Sequence, residues 1–290
     1  MRGCNLDFSG YELSNRYYAG SEHKIGIQTP DGTCYMLKFR KATAFGRRFN
    51  HVSEYLGSHI FSLAGMEAQE TYLGTYQSEP VVACRDFNTP TTQFVPFNEV
   101  GESTLEEDKE SYQYDYVDIM RMLRDNSKLT NVDETISAFW RMYVVDALLG
   151  NFDRHGANWG FLKSDDGYAL APVFDNGSCL FPGLVEDEEV ERVLRSQDEM
   201  LRCVYRFPTS QVRLGGRKSS YDEVIGSLEF PECNVALQAV MRTLDMDAVH
   251  DLVSEVPFTS SIRKDFYHAI LDLRYRLILK RACDRLGGQS

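Results

Sequence analysis

The segment Gly-Asn-Phe-Asp-Arg-His-Gly-Ala-Asn-Trp-Gly at residues 150–160 decides the fold of this chain of 290 residues. It places Asp153 and Asn158 on one glycine-bounded loop, five positions apart. The apolar run at residues 171–174 then leads into Asp175, which is followed by a turn-forming Asn-Gly pair. Two carboxylates and an amide, all hard oxygen donors, therefore stand on two loops of the sequence.

Phosphoryl transfer needs such a set of side chains. One carboxylate must orient the attacking hydroxyl and accept its proton, while a second carboxylate and an amide oxygen hold the Mg²⁺ ions on the phosphates. On this template Asp153 is the catalytic base or the group that orients the hydroxyl, and Asn158 and Asp175 are the metal ligands. His155 is either a cation near the transferred phosphate or a residue that hydrogen-bonds the loop, and the sequence leaves both roles open.

The part of the chain around this loop is predicted to be largely helical. Apolar residues before the loop recur at helical spacing: Ile136, Phe139, Trp140, Tyr143, Val144, Ala147 and Leu148. Asn131 and Glu134 predict a capping box at the start of this helix, and Gly150 predicts its end. Residues 261–286 predict a second long amphipathic helix, and residues 160–171 resemble a hairpin.

The first 86 residues indicate strands with one helix. Residues 24–29 and 33–39 alternate in polarity around a Pro-Asp-Gly turn, which predicts a hairpin. An apolar stripe over residues 52–63 predicts a helix that Gly65 ends, and two further strands are expected at about 69–76 and 80–84. Lys38 lies on the second hairpin strand among apolar neighbours, and Glu54 lies on the helix. A small sheet lobe thus precedes a larger helical lobe.

Together these segments resemble the HipA-like kinases, and among them the short CtkA-type members that lack an extra N-terminal domain. Residues 151–160 and 174–180 resemble the catalytic and metal loops of that family. Residues 19–27 resemble its AG-x-x-x-K phosphate loop, Lys38 and Glu54 match its strand lysine and helix glutamate, and residues 83–87 lie where the adenine-binding hinge is expected. The resemblance covers roughly residues 12–181.

The resemblance implies an α+β, protein-kinase-like bilobal fold, with an antiparallel nucleotide-binding lobe at residues 1–86 and a helical catalytic lobe at 87–290. It implies ATP and Mg²⁺ as cofactors. The catalytic residues are then Asp153, Lys38 and His155, and the metal ligands Asn158 and Asp175. The expected nucleotide-binding residues are Ala19, Gly20, Ser21, Glu22, His23, Lys24, Lys38, Glu54, Cys84, Arg85 and Asp86.

The implied function is a protein Ser/Thr kinase, or a Tyr kinase, that also phosphorylates itself and has a toxin or effector role. The candidate autophosphorylation sites are Ser14, Tyr17, Tyr18 and Ser21. A lipid or small-molecule kinase is an alternative, because phosphatidylinositol-type kinases also carry a D-R-H-x-x-N string. A nucleotide-binding pseudokinase that acts as an interaction module is another. The expected partners are a protein substrate and an antitoxin-like or regulatory protein.

Each residue alone also has a structural interpretation. Asp153 can be a turn or capping residue, Lys38 can be a lysine that protects an edge strand, and Glu54 can be a solvated helix residue. Their occurrence together, in the order that phosphoryl transfer requires, favours catalysis over these interpretations.

Composition excludes other classes of protein. The formal net charge of −12 argues against a general nucleic-acid binder. No stretch of 18 apolar residues predicts a membrane span, and no signal peptide is visible. The seven cysteines are scattered without a CxxC pair, which favours a reducing compartment. We therefore expect a cytoplasmic protein, and the resemblance implies a bacterial one, with delivery into a host cell as an alternative.

Overall fold

The computed structural model describes residues 6–16, 18, 23–89, 91–101 and 114–288 of the chain. Its strands are β1 (Leu6–Asp7), β2 (Glu12–Leu13), β3 (Lys24–Gln28), β4 (Cys34–Phe39), β5 (Ala42–Thr43), β6 (Gly46–Arg47), β7 (Thr71–Tyr76), β8 (Glu79–Arg85), β9 (Gln93–Pro96), β10 (Gly160–Ser164), β11 (Gly167–Leu170), β12 (Thr209–Leu214) and β13 (Arg217–Ser220).

Its helices are α1 (Asn50–Leu63), α2 (Phe97–Gly101), α3 (Tyr116–Asp125), α4 (Val132–Leu149), α5 (Asp187–Arg195), α6 (Gln197–Tyr205), α7 (Tyr221–Ser227), α8 (Pro231–Thr243), α9 (Met246–Glu255), α10 (Ser261–Arg274) and α11 (Arg281–Gly287). A π-helical segment, Tyr275–Lys280, joins α10 to α11. None of the helices among these described residues combines the length and the hydrophobicity needed to cross a membrane.

The N-terminal sheet has the strand order β1-β7-β8-β4-β3-β2. The predicted hairpin is confirmed as β3 and β4, with Lys24 directly opposite Lys38. The sheet is mixed rather than purely antiparallel as expected, because β1 runs parallel to β7. Since β4 lies between β3 and β8, Lys38 is on an interior strand, and its interpretation as an edge-strand lysine is wrong.

The two faces of this sheet bury different residues. One face carries a small apolar cluster that includes Leu37 and Phe39. The other face is covered by α1, whose buried residues Val52, Leu56 and Ile60 belong to the larger core that extends to α4. Successive strand residues point to opposite faces, so Lys38, between Leu37 and Phe39, points toward α1. The strand pattern thus directs the lysine to the side on which the helix carries Glu54.

The helix α4 begins after Asn131 and ends at Gly150 as the sequence predicts, but the predicted capping box forms only in part, because Glu134 bonds the Asn131 side chain and not its backbone N–H. Asn131 accepts a hydrogen bond from the backbone N–H of Glu134 (3.2 Å), and its own amide donates to the Glu134 carboxylate (2.9 Å). Gly150 ends the helix in a left-handed conformation with φ +64°. An L residue with a side chain rarely adopts this conformation, so glycine lets the chain turn directly into the loop at 151–160.

The C-terminal part differs from the sequence prediction in one helix, because the helix expected at 261–286 is interrupted by the π-helical segment. The hairpin expected at 160–171 is confirmed as β10 and β11, and β9 adds a third strand beside β10. The strands β12 and β13 form a further hairpin, for which the sequence analysis made no prediction. Pairing partners from distant parts of the chain, such as β9, are not encoded in local sequence.

A buried histidine on α1 makes stability depend on pH. His51 is 1% exposed, and neither ring nitrogen has a hydrogen-bond partner among the described residues. Burial, aided by the charges of Arg40 and Arg263, lowers its pKa from 6.5 to about 3. Between these values the unfolded chain binds a proton that the folded chain does not, so the free energy of unfolding falls as the pH falls.

We therefore expect His51 to account for a loss of about 2 kcal/mol in the free energy of unfolding between pH 7 and pH 5. Urea denaturation of the wild type and of His51→Leu at the two pH values measures this contribution. In His51→Leu, the free energy of unfolding should fall less between pH 7 and pH 5, and the reduction should equal the contribution of His51. An unchanged difference would show that His51 does not carry the effect.

Candidate active site

A buried lysine lies between two carboxylates at the centre of the site. Lys38 Nζ is 2.9 Å from Glu54 Oε2 and 2.9 Å from Asp175 Oδ1. Burial would lower the pKa of the ammonium group, but the charges of Asp175 and Glu54 outweigh it and raise that pKa well above its ordinary value. Lys38 is therefore a fixed positive charge, and its two partners come from α1 and from the loop after β11.

Glu54 also holds the loop that carries Asp175. Its Oε1 accepts a hydrogen bond from the backbone N–H of Asn176 at 2.9 Å. One helical turn further along, Gly57 allows close packing, because a Cβ there would lie 2.5 Å from the Cβ of Asn176. The helix α1 therefore sets the position of both the lysine and the second carboxylate.

Asp175 combines an unusual backbone with an accessible side chain. Its φ of +56° lies in the left-handed region, where Asp and Asn are tolerated better than most residues. Burial would raise the pKa of its carboxyl group, but the charge and hydrogen bond of Lys38 lower it below its ordinary value. The side chain keeps 36% of its surface exposed, so an ionised carboxylate faces the space in front of Lys38.

Internal hydrogen bonds fold the loop at 151–160 on itself. The Asn158 amide nitrogen donates to the Asp153 carbonyl at 2.8 Å. Because its nitrogen makes this bond, the acceptor that remains on the Asn158 side chain is its amide oxygen. His155 accepts a bond from the backbone N–H of Ala157 at 3.2 Å, and its Nε2 lies 3.8 Å from the Asp153 carboxylate. The histidine thus supports the loop and also lies near the predicted base.

Arg154 joins the two functional loops, which the sequence analysis did not predict. Its guanidinium makes two bonds to the buried Asp146 carboxylate, at 2.9 and 3.0 Å. It also donates to the carbonyls of Asn158 and Phe174 and to the Asn176 side chain. One cation therefore holds the backbone of Asn158 and the residues on both sides of Asp175.

Two further residues that support this loop were missed as well. Asp146 is 1% exposed and lies among the apolar residues of α4. Asn151 is fully buried, donates to Asp146 at 2.8 Å, and accepts from the backbone N–H of Asp153 at 3.0 Å. The sequence signal that could have revealed this support is Asp146 itself, a carboxylate inside the apolar stripe of α4. A buried carboxylate requires a partner.

The predicted phosphate loop falls only partly in the described chain. Ala19, Gly20, Ser21 and Glu22 lie outside the described residues, as does Tyr17. Lys24 faces the site, because it pairs with Lys38 across the sheet and its charge contributes to lowering the pKa of Asp175. The His23 ring packs on Phe39 with ring centroids 4.3 Å apart, on the face of the sheet opposite Lys38.

The three predicted hinge residues differ in their surroundings. Cys84 is buried, and burial raises the pKa of its thiol. The Arg85 side chain pairs with Glu70 at 2.8 Å, and its carbonyl accepts from Gln69. Asp86 pairs with Arg16 at 2.5 Å and accepts from the Tyr18 hydroxyl at 3.1 Å. Asp86 therefore ties the segment before the phosphate loop to the end of β8.

The oxygen donors of the two loops supply part of the coordination shell of a divalent metal ion. Among the described residues, no group of three or more His, Cys, Asp or Glu side chains is placed to hold a metal ion. The protein instead offers one carboxylate, Asp175, and one amide oxygen, Asn158. Mg²⁺ commonly takes one or two protein oxygens and completes its shell with substrate phosphates and water. The residues present fit a metal that is bound together with a nucleotide.

The chain combines a sheet lobe that holds a buried Lys-Glu pair with a helical lobe that carries two polar loops. This combination defines the class of protein-kinase-like enzymes. A family model of the HipA-like C-terminal domain matches residues 17–241. The chain belongs to this HipA-like family, as its motifs indicated.

Two relatives agree with this assignment. The Serine/threonine-protein kinase CtkA of Helicobacter pylori is 34% identical over 97% of this chain and 88% of its own length. The crystal structure of a Helicobacter pylori proinflammatory kinase CtkA superposes with a TM-score of 0.91 at 32% identity, covering 99% of each chain. The similarity to the short CtkA-type members is thereby confirmed.

A more distant structure supports the fold alone. The Shewanella oneidensis HipA, in a complex with HipB and operator DNA, matches with a TM-score of 0.60 at 13% identity. The match covers 95% of this chain and 68% of that one. The predicted α+β, protein-kinase-like fold is confirmed, and membership of a kinase family implies ATP, a divalent metal ion and a protein substrate in general terms.

Proposed function

We propose that this protein transfers the γ-phosphate of Mg²⁺-bound ATP to serine or threonine hydroxyls of a protein, its own chain included. The observation that carries the proposal is Lys38 held at 2.9 Å from both Glu54 and Asp175. The Ser/Thr kinase name of the Helicobacter pylori relative supports the choice of acceptor. Cytoplasmic residence and a regulatory protein partner are part of the same proposal.

Each residue has a distinct role in the proposed reaction. The Asp153 carboxylate, whose side chain is 45% exposed, orients the acceptor hydroxyl and takes its proton. Lys38 and Lys24, on one face of the sheet, bind phosphate oxygens. Asn158 and Asp175 hold the metal, and the bound metal supplies positive charge that neutralises the phosphates. His155 adds a hydrogen-bond donor beside the base.

In this proposal the two lobes have different roles. The segment 1–86 binds the nucleotide, and 87–290 binds the acceptor and carries the base. The six-stranded sheet ends at Arg85, and the next strand, β9, pairs with β10 of the following part, which supports a boundary near residue 86. The helix α1 packs into the core of the second part, so the two lobes share one apolar interior.

Self-phosphorylation has two candidate sites among the described residues. Ser14 binds the β3 strand through its backbone N–H, which donates to the Gly26 carbonyl at 2.9 Å. The Tyr18 hydroxyl donates to Asp86, and burial raises the pKa of this phenol. Tyr18 must leave Asp86 before it can accept a phosphate, so Ser14 is the better acceptor of the two. The other candidates, Tyr17 and Ser21, lie outside the described residues.

The acceptor class is tested by incubating the full chain with γ-labelled ATP and Mg²⁺, in parallel with casein and with phosphatidylinositol vesicles. We expect label on casein and on the chain itself, as phosphoserine or phosphothreonine on acid hydrolysis. Label on the lipid alone would support the lipid-kinase alternative. Bound ATP without transfer to any acceptor would contradict the proposal and support the pseudokinase alternative.

A further inference from the structure

An exposed aromatic ring lies beside the loop that carries the proposed base. Phe207, in the connection between α6 and β12, keeps 51% of its surface exposed. Its ring packs on Phe152 with the ring centroids 5.4 Å apart, and Phe152 directly precedes Asp153. A single exposed apolar side chain is common on protein surfaces, but this one borders the place where the acceptor hydroxyl must bind.

The Phe207 ring also reaches the chain that follows the second functional loop. It meets Phe181 edge to face, with the ring centroids 6.2 Å apart. Phe181 is buried and directly follows residues 174–180, the segment that resembles the metal loop of the family. Phe207 therefore lies where the chain segments that carry Asp153 and Asp175 come together, at the edge of the proposed site.

The chain around Phe207 is fixed to the loop of the base. The Gln211 side-chain amide donates a hydrogen bond to the Phe152 carbonyl. Pro208 packs on Gly150, where a Cβ would lie 3.2 Å from the proline ring. These contacts hold the exposed ring at a set position relative to the base. A ligand that covers a ring held in this way loses little free energy to the ordering of the protein.

We propose that Phe207 and Phe152 bind an apolar side chain next to the acceptor hydroxyl, so that the enzyme prefers a serine or threonine flanked by a large apolar residue. The inference rests on the proposed function, because it takes Asp153 as the group that binds the hydroxyl. Consecutive Cα atoms lie about 3.8 Å apart in the enzyme and in the substrate alike. With the acceptor at Asp153, a flanking substrate residue therefore comes within reach of the rings beside the base.

The chemistry of this surface selects an apolar substrate residue. The two phenyl rings gain from the burial of apolar surface. Arg206, directly before Phe207, is exposed and disfavours a lysine or arginine of the substrate at the same place. Because the contact lies beside the reacting hydroxyl and not on it, it is equally strong in the ground state and in the transition state. Such binding lowers KM and leaves kcat unchanged.

The preference is measured by transfer from γ-labelled ATP with Mg²⁺ to three peptides. One has a serine among glycines, and the other two have a leucine directly before or directly after the serine. We expect the wild type to favour one leucine peptide over the glycine peptide by about tenfold or more in kcat/KM, through a lower KM. The ratio of two peptides on one protein is independent of the fraction of protein that is folded.

Three variants separate the role of the ring from a general loss of structure. In Phe207→Ser the preference for the leucine peptide should fall to within about twofold of unity, with kcat on the glycine peptide unchanged. Phe207→Leu keeps an apolar side chain and should keep most of the preference. Val235→Ser changes an apolar residue that is 63% exposed on α8 and should keep all of it.

Equal kcat/KM for all three peptides in the wild type, or the same preference in Phe207→Ser, would overturn the inference. Analytical ultracentrifugation of the two proteins tests a second copy of the chain as the occupant of the ring. A dimer that dissociates in Phe207→Ser while the peptide preference persists would overturn the inference in favour of that contact.

Peptide binding separates failure of this inference from failure of the proposed kinase activity. Fluorescence anisotropy measures the binding of the same peptides with alanine in place of serine, which requires no phosphoryl transfer. Tighter binding of a leucine peptide by the wild type than by Phe207→Ser, without transfer to any peptide, would support the binding surface and contradict the kinase activity. Transfer without a preference that depends on Phe207 would support the kinase activity and overturn the inference.

Discussion

Asp175→Asn is expected to lower kcat for phosphoryl transfer by about 10³-fold or more, because it removes the charge of the proposed metal ligand. The substitution keeps the shape of the side chain and an oxygen that can accept from Lys38. Asparagine also tolerates the φ of +56° at this position, so the backbone is not strained. Lys38 retains Glu54 as its counter-charge. The loss therefore reports on the metal and phosphates rather than on folding.

The measurement is steady-state transfer from γ-labelled ATP at several Mg²⁺ concentrations, with circular dichroism as a check of the fold. Asp165→Asn is the matched control, since it removes an exposed carboxylate from the turn between β10 and β11. We expect this control to keep the wild-type kcat. Activity of Asp175→Asn within tenfold of the wild type would contradict the assigned role.

Arg154→Met is expected to lower the free energy of unfolding by about 3–5 kcal/mol and to abolish transfer. Arg154 is 8% exposed, and its guanidinium is the ion-pair partner of the buried Asp146 carboxylate. Without it, Asp146 keeps the Asn151 amide but has lost its counter-charge. The carbonyls of Asn158 and Phe174 lose a shared donor at the same time, so both functional loops lose their common support.

Chemical denaturation and thermal melting measure this effect. Arg206→Met, which changes an exposed arginine, should stay within about 0.5 kcal/mol of the wild type. The double variant Asp146→Asn, Arg154→Met should be more stable than Arg154→Met alone, because it removes the unpaired buried charge. A melting temperature of Arg154→Met equal to that of the wild type would show that the ion pair does not hold the loops.

The sequence predicted the parts of the fold that short-range patterns encode. Alternation over residues 24–39 predicted the β3-β4 hairpin, and helical spacing with Asn131 and Gly150 predicted α4. These predictions depend on periodicity and capping, which a single sequence shows directly. The resemblance to the family singled out Lys38 and Glu54, and the structure shows that the two side chains pair.

Long-range polar contacts were not predictable in the same way. Arg154 has partners on α4, on its own loop and on the loop after β11, and no spacing rule connects these segments. The parallel pairing of β1 with β7 likewise joins residues far apart in the chain. The π-helical segment lies within an otherwise regular amphipathic pattern. Each depends on tertiary packing, which overrides local preference.

The most direct test of the proposed activity compares wild type and Asp153→Ala in transfer of label from γ-labelled ATP with Mg²⁺, beside the binding of ATP to each protein. The account predicts that the wild type labels itself and casein, and that Asp153→Ala binds ATP with similar affinity but transfers about 10²–10⁴-fold more slowly. Transfer by Asp153→Ala at the wild-type rate would contradict the assignment of the catalytic base. Absence of ATP binding by the wild type would contradict the proposed kinase function as a whole.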